Sequence, residues 1–256
     1  MIGRLDVALK SFVGGTVFGA TLGSGPPAIL ALHGWGRTHE DFLGVLDGFN
    51  AIAVDLPGFG ATPPPSAVWG ANEYAAALVP ILRDFEAPPV VIAHSFGGRV
   101  AVCLATTHPE LVASLLIIGS PLVRPPDQVK KRPPFRYRVV RFLRGLRLIP
   151  ESRLEAARHR YGSADYRAAS GVMRDILVRV VNESYELQLE SLSVPVHLLW
   201  GGDDTAAPVS GARLAKAILD GANADASLAV LMGVGHDVLA EDPEKVRAEL
   251  KILLDQ

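Results

Sequence analysis

One serine in this sequence lies where it could act as a nucleophile. The run Val90–Ala93 is apolar and rich in β-branched residues, which predicts a buried parallel strand. Ser95 follows at a tight turn, and the stretch Arg99–Ala105 predicts a helix. A strand, a sharp turn with Ser and a helix form a nucleophile elbow, where the flanking residues must be small. Ala93 and Gly97 meet that requirement, although a serine in an ordinary helix-capping loop would look similar.

A serine hydroxyl becomes a good nucleophile only when a base takes its proton and a third group orients that base. Downstream of Ser95, the stretch Trp200–Pro208 follows a predicted strand and contains Asp203 and Asp204. His236 follows the next predicted strand. The order serine, acid, histidine therefore indicates a candidate catalytic triad, while the residues alone leave the choice between the two aspartates open.

These candidate residues lie at the ends of strands in a chain where strands and helices alternate. Short apolar runs predict strands at 28–32, 51–54, 90–94, 115–119, 196–200 and 227–231, after an antiparallel edge hairpin at 12–21. Helices are predicted between and after them, at 41–46, 73–85, 99–105, 209–219 and 243–254. Such alternation is typical of an α/β fold with a mostly parallel, doubly wound sheet.

The alternation breaks between residues 121 and 192, where no strand is predicted. Helical spacing occurs instead at 135–146, from 152, at 164–182 and at 185–192. The sequence therefore predicts a sheet domain built from residues 1–120 and 193–256. Residues 121–192 are predicted to form a helical insertion into that domain.

The charge of the predicted insertion differs from that of the sheet domain. Residues 121–190 carry 15 Lys and Arg against 8 Asp and Glu, whereas the rest of the chain carries 10 against 19. On the predicted helix 135–146, Arg138, Arg141 and Arg144 alternate with apolar residues at helical spacing. An amphipathic helix with a solvated basic face is the plain interpretation. Contact with an acidic acyl-carrier protein or with a lipid surface are the functional alternatives.

Composition excludes several other classes of protein. A chain of 256 residues that is 49% hydrophobic can bury a large core, and a net charge of −2 argues against nucleic-acid binding. The single cysteine, Cys103, forms no intramolecular disulfide, and the seven histidines lack metal-ligand spacing. No phosphate loop, signal peptide or run of membrane-spanning length is present. We therefore expect a cytoplasmic protein without cofactor or metal and without stable membrane insertion.

Four motifs together resemble the α/β-hydrolase fold superfamily in its capped form, along essentially the whole chain. They are the elbow at Ser95, the Trp-Gly turn before Asp204, the Gly-x-Gly-His motif ending at His236, and His-Gly-Trp-Gly at 33–36. The elbow departs from the family's G-x-S-x-G pattern in having Ala93 at the first glycine. The resemblance implies an α/β fold whose inserted helices form a cap.

The resemblance also assigns roles to particular residues. Ser95 is expected to be the nucleophile and His236 the general base. The family's spacing between glycine and proline in the Trp-Gly motif selects Asp204, rather than its neighbour, as the acid. The backbone N–H groups of Trp35 and Phe96 are expected to form the oxyanion hole, and both residues to contact substrate. The histidine before Ser95 is expected to point away across the turn.

We therefore expect a serine hydrolase that cleaves a carboxylic ester through an acyl-enzyme intermediate. The expected partner is a small-molecule ester. An anionic or carrier-linked ester is one option, because the H-G-W-G motif is also found in pimeloyl-carrier methyl esterases. The alternatives are a carbon–carbon bond hydrolase or lyase on the same triad, and a non-catalytic ligand-binding protein with this fold. The residues do not indicate an oligomeric state.

Overall fold

The structure is a computed structural model of the chain. It describes residues 7–125 and 163–255, together with positions 139–140, 142–144, 146, 148–150, 152–153, 155–156 and 160 between them. The predicted helices at 135–146 and from 152 therefore lie largely outside the described residues.

A single sheet of eight strands runs through the described part of the molecule, in the spatial order β1-β2-β4-β3-β5-β6-β7-β8. The strands are β1 Val7–Phe12, β2 Val17–Leu22, β3 Ile29–Leu32, β4 Ala51–Asp55, β5 Val90–His94, β6 Ser114–Ile118, β7 Val196–Gly201 and β8 Ala226–Leu231. β1 and β2 form an antiparallel hairpin, and β2 also pairs antiparallel with β4. All other neighbouring strands are parallel. The predicted mostly parallel α/β sheet is confirmed.

Helices cover both faces of this sheet, so its inner strands are apolar on both sides. The helices are α1 Ala71–Arg83, α2 Phe96–Thr107, α3 Ala164–Ala168, α4 Gly171–Val180, α5 Glu186–Glu190, α6 Val209–Gly221, α7 Val238–Glu241 and α8 Pro243–Leu254. In β3, Leu30 and Leu32 pack with α1 and α2, while Ile29 and Ala31 pack with α7 and α8 on the opposite face. This alternation accounts for the unbroken apolar runs in the sequence.

Three predicted elements differ from the structure in detail. The hairpin begins at Val7 rather than at residue 12, and its turn falls at 13–16. The predicted helix 41–46 is a 3₁₀ helix at His39–Phe42 followed by turns. The predicted helix 164–182 is two helices, because Ser170 is extended and Gly171 has φ of +52°. A positive φ at Gly171 reorients the chain at the first residue of α4.

The chain leaves the sheet domain after β6 and returns to it before β7 at two residues that contact each other, Leu122 and Tyr185. The N–H of Tyr185 donates a hydrogen bond to the carbonyl of Leu122 at 3.1 Å, and both side chains are buried. Beyond Tyr185, α5 packs against α2 and α6 and leads into β7. Asp165 of α3 and Leu177 and Val180 of α4 lie beside Ser95, at the carboxyl end of β5. The domain boundaries at 121 and 192 stay a prediction.

Candidate active site

Ser95 occupies the turn between β5 and α2 in a conformation that few residues other than glycine adopt. Its φ is +51° and its ψ is −110°, and its N–H donates to the carbonyl of Ile118 at 2.9 Å. The turn is tight because α2 starts directly against β3: a Cβ on Gly97 would lie 2.2 Å from the carbonyl oxygen of Leu32. Strain of this kind at a positive φ costs about 1–3 kcal/mol and persists only where the surroundings enforce it.

A continuous chain of hydrogen bonds starts from the hydroxyl of Ser95. Its Oγ lies 3.1 Å from Nε2 of His236, and Nδ1 of that histidine lies 2.7 Å from Oδ2 of Asp204. The three residues come from the carboxyl ends of β5, β7 and β8, which meet at one edge of the sheet. An imidazole held between a hydroxyl and a carboxylate can accept the hydroxyl proton and carry the resulting charge.

The two adjacent aspartates occupy different environments. The side chain of Asp204 is fully buried, and its Oδ1 accepts hydrogen bonds from the N–H groups of Ala206 and Ala207 at 2.8 and 2.7 Å. Asp203 is exposed, and its backbone N–H donates to the carbonyl of Val234 at 2.9 Å. The structure therefore brings Asp204, and not Asp203, to His236.

Trp35 and Phe96 meet on one wall beside Ser95. Their ring centroids are 5.4 Å apart, in an edge-to-face arrangement, and Phe59 packs against Trp35 at 5.0 Å. Within the described ranges, the backbone N–H groups of Trp35 and Phe96 have no hydrogen-bond acceptor. Two unpaired N–H groups beside a nucleophile are the arrangement that can bind an oxyanion.

His33 fixes the loop that carries Trp35. Its Nε2 accepts a hydrogen bond from the N–H of Leu56 at 2.9 Å, and its Nδ1 lies 2.7 Å from the carbonyl of Gly34. Because Nε2 is an acceptor, the proton must be on Nδ1, which donates to Gly34. Burial lowers the pKa of His33 to about 4, so the ring is neutral. The sequence did not predict this contact, although His33 is the first residue of the His-Gly-Trp-Gly motif.

His94, the residue before Ser95, also contributes to the site. Its ring lies 4.9 Å from that of His236, and its Nε2 lies 2.9 Å from the backbone carbonyl of His236. Burial lowers the pKa of His94, so a neutral ring donates from Nε2 to that carbonyl. The expectation that His94 points away needs correction, because its side chain supports the loop that carries His236. No periodicity or motif in the sequence indicates a contact between residues so far apart.

A cleft of about 380 Å³ opens above Ser95 and His236. Trp35 and Phe96 line it from the sheet domain, and Leu177, Val180 and Val181 line it from the segment between β6 and β7. Such a volume suits a small organic ligand. Among the described residues, no group of His, Cys, Asp and Glu side chains could hold a metal ion, and no helix is long and apolar enough to cross a membrane.

Comparison with known proteins identifies the class to which this fold and site belong. Residues 29–249 match the model of the alpha/beta hydrolase family, and the chain belongs to that family. The similar proteins reported next are a lipase, an esterase and a phospholipase by name.

Human monoacylglycerol lipase ABHD6 is 24% identical over 90% of this chain and 74% of its own length. A pimeloyl-[acyl-carrier protein] methyl ester esterase of Aeromonas hydrophila is 36% identical over 38% of this chain and 39% of its own length. Among solved structures, a bacterial membrane phospholipase A superposes with a TM-score of 0.72 at 23% identity, covering 98% of this chain and 86% of that chain. That structural likeness concerns the fold.

Proposed function

We propose that this protein is a serine hydrolase that cleaves a carboxylic ester through an acyl-enzyme on Ser95. The observation that carries the proposal is the unbroken hydrogen-bond chain from Ser95 through His236 to Asp204, at the floor of a ligand-sized cleft. Several relatives, including the two named above, are called lipases or esterases, which supports an ester as the substrate class.

Acylation begins when Nε2 of His236 takes the proton from Oγ of Ser95 as that oxygen attacks the ester carbonyl carbon. The carbonyl oxygen becomes an oxyanion, and the N–H groups of Trp35 and Phe96 donate to it. Asp204 remains ionised and stabilises the imidazolium. His236 then gives the proton to the departing alcohol oxygen, the carbon–oxygen bond breaks, and the acyl group stays on Ser95.

Deacylation repeats these steps with water as the nucleophile. Water takes the place of the alcohol, His236 accepts one of its protons, and the hydroxide oxygen attacks the acyl carbon. Collapse of the second tetrahedral intermediate returns the proton to Oγ of Ser95 and releases the carboxylic acid. The net reaction consumes one water and needs no cofactor or metal ion.

The substrate in this proposal is a small-molecule ester held between the sheet domain and a helical cap. The cap would consist of residues 121–192, and support comes from Leu177, Val180 and Val181, which line the cleft opposite Trp35. The aromatic rings of Trp35 and Phe96 would pack against the substrate. The basic composition of the same segment favours an anionic or carrier-linked ester.

The test compares Ser95→Ala with a matched substitution, Ser114→Ala. Ser114 is a buried serine on β6 whose hydroxyl has no hydrogen-bond partner among the residues that the structure describes, so its removal should be nearly neutral. Hydrolysis of p-nitrophenyl esters of graded chain length should fall about 10³-fold or more in Ser95→Ala and stay near wild type in Ser114→Ala. A fluorophosphonate should label wild type and Ser114→Ala only.

Near-wild-type ester hydrolysis by Ser95→Ala would refute the proposal. Labelling of Ser95 without ester hydrolysis, together with cleavage of a vinylogous diketone, would instead indicate a carbon–carbon bond hydrolase. Absence of both labelling and turnover in folded wild-type protein would favour a ligand-binding role.

A further inference from the structure

Arg99 brings a cation into the cleft, one helical turn beyond the proposed nucleophile. Four residues of α-helix rise about 6 Å, and helical side chains lean toward the N-terminus, so the side chain of Arg99 leans toward Ser95. Both residues line the same cleft. Nothing in the proposed acyl transfer uses this arginine.

The hydrogen bonds of Arg99 leave part of its guanidinium unused. Nη1 donates to the carbonyl of Val180 at 2.6 Å, and Nε donates to the carbonyl of Pro121 at 3.2 Å. Over the described ranges, Nη2 has no acceptor and no carboxylate forms an ion pair with Arg99. The ring of Tyr185 lies 6.0 Å from the guanidinium carbon. A guanidinium can donate five hydrogen bonds, so donors remain for a ligand.

Other charges near the cleft do not neutralise Arg99. Arg37, the second arginine that lines the cleft, is paired with Asp41 at 2.6 Å and with Asp237 at 3.3 Å. Asp165 lines the cleft from α3 without an ion pair to Arg99. Arg99 is therefore the cleft cation that lacks a compensating carboxylate within the part of the chain that the structure describes.

Glu183, the acidic residue whose charge acts on Arg99, is engaged with other partners. Glu183 accepts hydrogen bonds from the N–H of Ala71 at 3.1 Å and the hydroxyl of Tyr185 at 2.8 Å, and it pairs with Arg179 at 3.2 Å. Arg124 donates to the carbonyl of Val181, a residue of the cleft wall, at 3.2 Å. Its charge adds to the positive potential around Arg99. Burial lowers the pKa of Arg99, because removal from water disfavours the cation, and a bound anion would offset that effect.

We propose that Arg99 forms a carboxylate-binding subsite, so that the preferred substrates are monoesters of dicarboxylic acids. The inference rests on the proposed ester hydrolysis and adds the chemical class of its acyl group. The ester carbonyl would lie at Ser95, and the free carboxylate at the other end of the acyl chain would accept hydrogen bonds from Nη2 of Arg99. A charge-assisted bond to the partly buried guanidinium of Arg99 is strong enough to select between charged and neutral substrates.

A purely structural role would account for only part of this geometry. Arg99 caps the carboxyl end of α4 by its bond to Val180, and arginines commonly satisfy the last carbonyls of a helix. Arg179 provides a comparison, because it also joins α4 to the sheet domain through Glu73 and the carbonyl of Val68 but does not line the cleft. Loss of either arginine weakens that joint, whereas only loss of Arg99 removes the cation from the cleft.

The experiment measures kcat and KM for p-nitrophenyl butyrate and for the mono-p-nitrophenyl esters of succinate, glutarate and adipate. In Arg99→Met, kcat/KM for the best of the three anionic esters should fall about 10-fold to 100-fold more than for butyrate, mainly through KM. Arg99→Lys should keep part of the preference, because it keeps the charge. Arg179→Met should change the neutral and anionic esters by equal factors.

Equal losses on neutral and anionic esters in Arg99→Met would show that Arg99 only holds the helix end, and would overturn the inference. So would a wild-type protein that prefers butyrate to every anionic ester. If wild type hydrolyses no ester at all, the proposed function fails, and calorimetric titration with monomethyl glutarate then judges the subsite separately. Binding that Arg99→Met abolishes and Arg179→Met preserves would uphold the subsite, and no binding would overturn it.

Discussion

Replacement of Asp204 by asparagine tests the acid of the proposed triad through one predictable change of tautomer. The amide oxygen of the new side chain must face the N–H groups of Ala206 and Ala207, because the opposite orientation would aim NH₂ at two donors. The NH₂ group then faces Nδ1 of His236, which must accept. The ring proton moves to Nε2, which donates to Ser95 and can no longer take its proton.

The size of the effect follows from this exchange of donor and acceptor. The same substitution in the best-studied serine protease lowers kcat about 10⁴-fold, which corresponds to about 5 kcal/mol of lost transition-state stabilisation. The free energy of unfolding should change little, because all three hydrogen bonds of Asp204 are kept with their polarity rearranged. KM should also stay near its wild-type value, since Asp204 lies behind His236 and is fully buried.

The control is Asp203→Asn, which changes the same chemical group one residue earlier. Asp203 is exposed and its backbone bond to Val234 is kept by asparagine, so kcat should stay within about twofold of wild type. The assay is steady-state p-nitrophenyl ester hydrolysis, with circular dichroism and thermal unfolding to show that both variants fold. A folded Asp204→Asn within tenfold of wild type, or a larger loss in Asp203→Asn, would refute the reasoning.

Two further predictions concern the framework of the site. Gly97→Ala should lower the free energy of unfolding by about 1–3 kcal/mol, because the new Cβ would lie 2.2 Å from the carbonyl oxygen of Leu32. Thermal unfolding compares this variant with Gly44→Ala, where a Cβ meets no other atom, and equal effects of the two substitutions would contradict the prediction. The contribution of His33 to the free energy of unfolding should be fully present above pH 6.5. It should fall by about 1.4 kcal/mol per pH unit as the pH drops from 6.5 toward 4, because in that range only the unfolded state binds the proton. Urea unfolding of wild type and His33→Asn measures that slope, and identical slopes would refute it.

The parallel part of the sheet was predictable from the sequence because its strands are short and mainly apolar, as in Leu115–Ile118, and strong turn signals separate them. The placement of Ser95, Asp204 and His236 at one edge followed from their positions after three parallel strands, β5, β7 and β8. Local backbone conformation decided what was not predictable: a positive φ at Gly171 splits a helix whose residues have continuous helical spacing.

Contacts between distant residues were equally hidden. His33 reaches Leu56 and His94 reaches His236, each through a single hydrogen bond to the backbone. A backbone partner has no side-chain identity that a sequence could display, so no pattern of residue types indicates such a bond. Supporting residues of this kind emerge only when the loops are placed in three dimensions.

The hydrogen bond between Tyr185 and Leu122 closes the segment that connects β6 to β7 into a loop with a narrow neck. The entropic cost of closing a loop grows only with the logarithm of its length, by about 0.6 kcal/mol for each doubling. Residues between the two ends of the neck can therefore be added, removed or exchanged while β6 and β7 keep their register. Part of this segment lines the cleft. The fold therefore allows a different segment to be joined between Leu122 and Tyr185, which would change the choice of substrate and leave the chemical step unchanged.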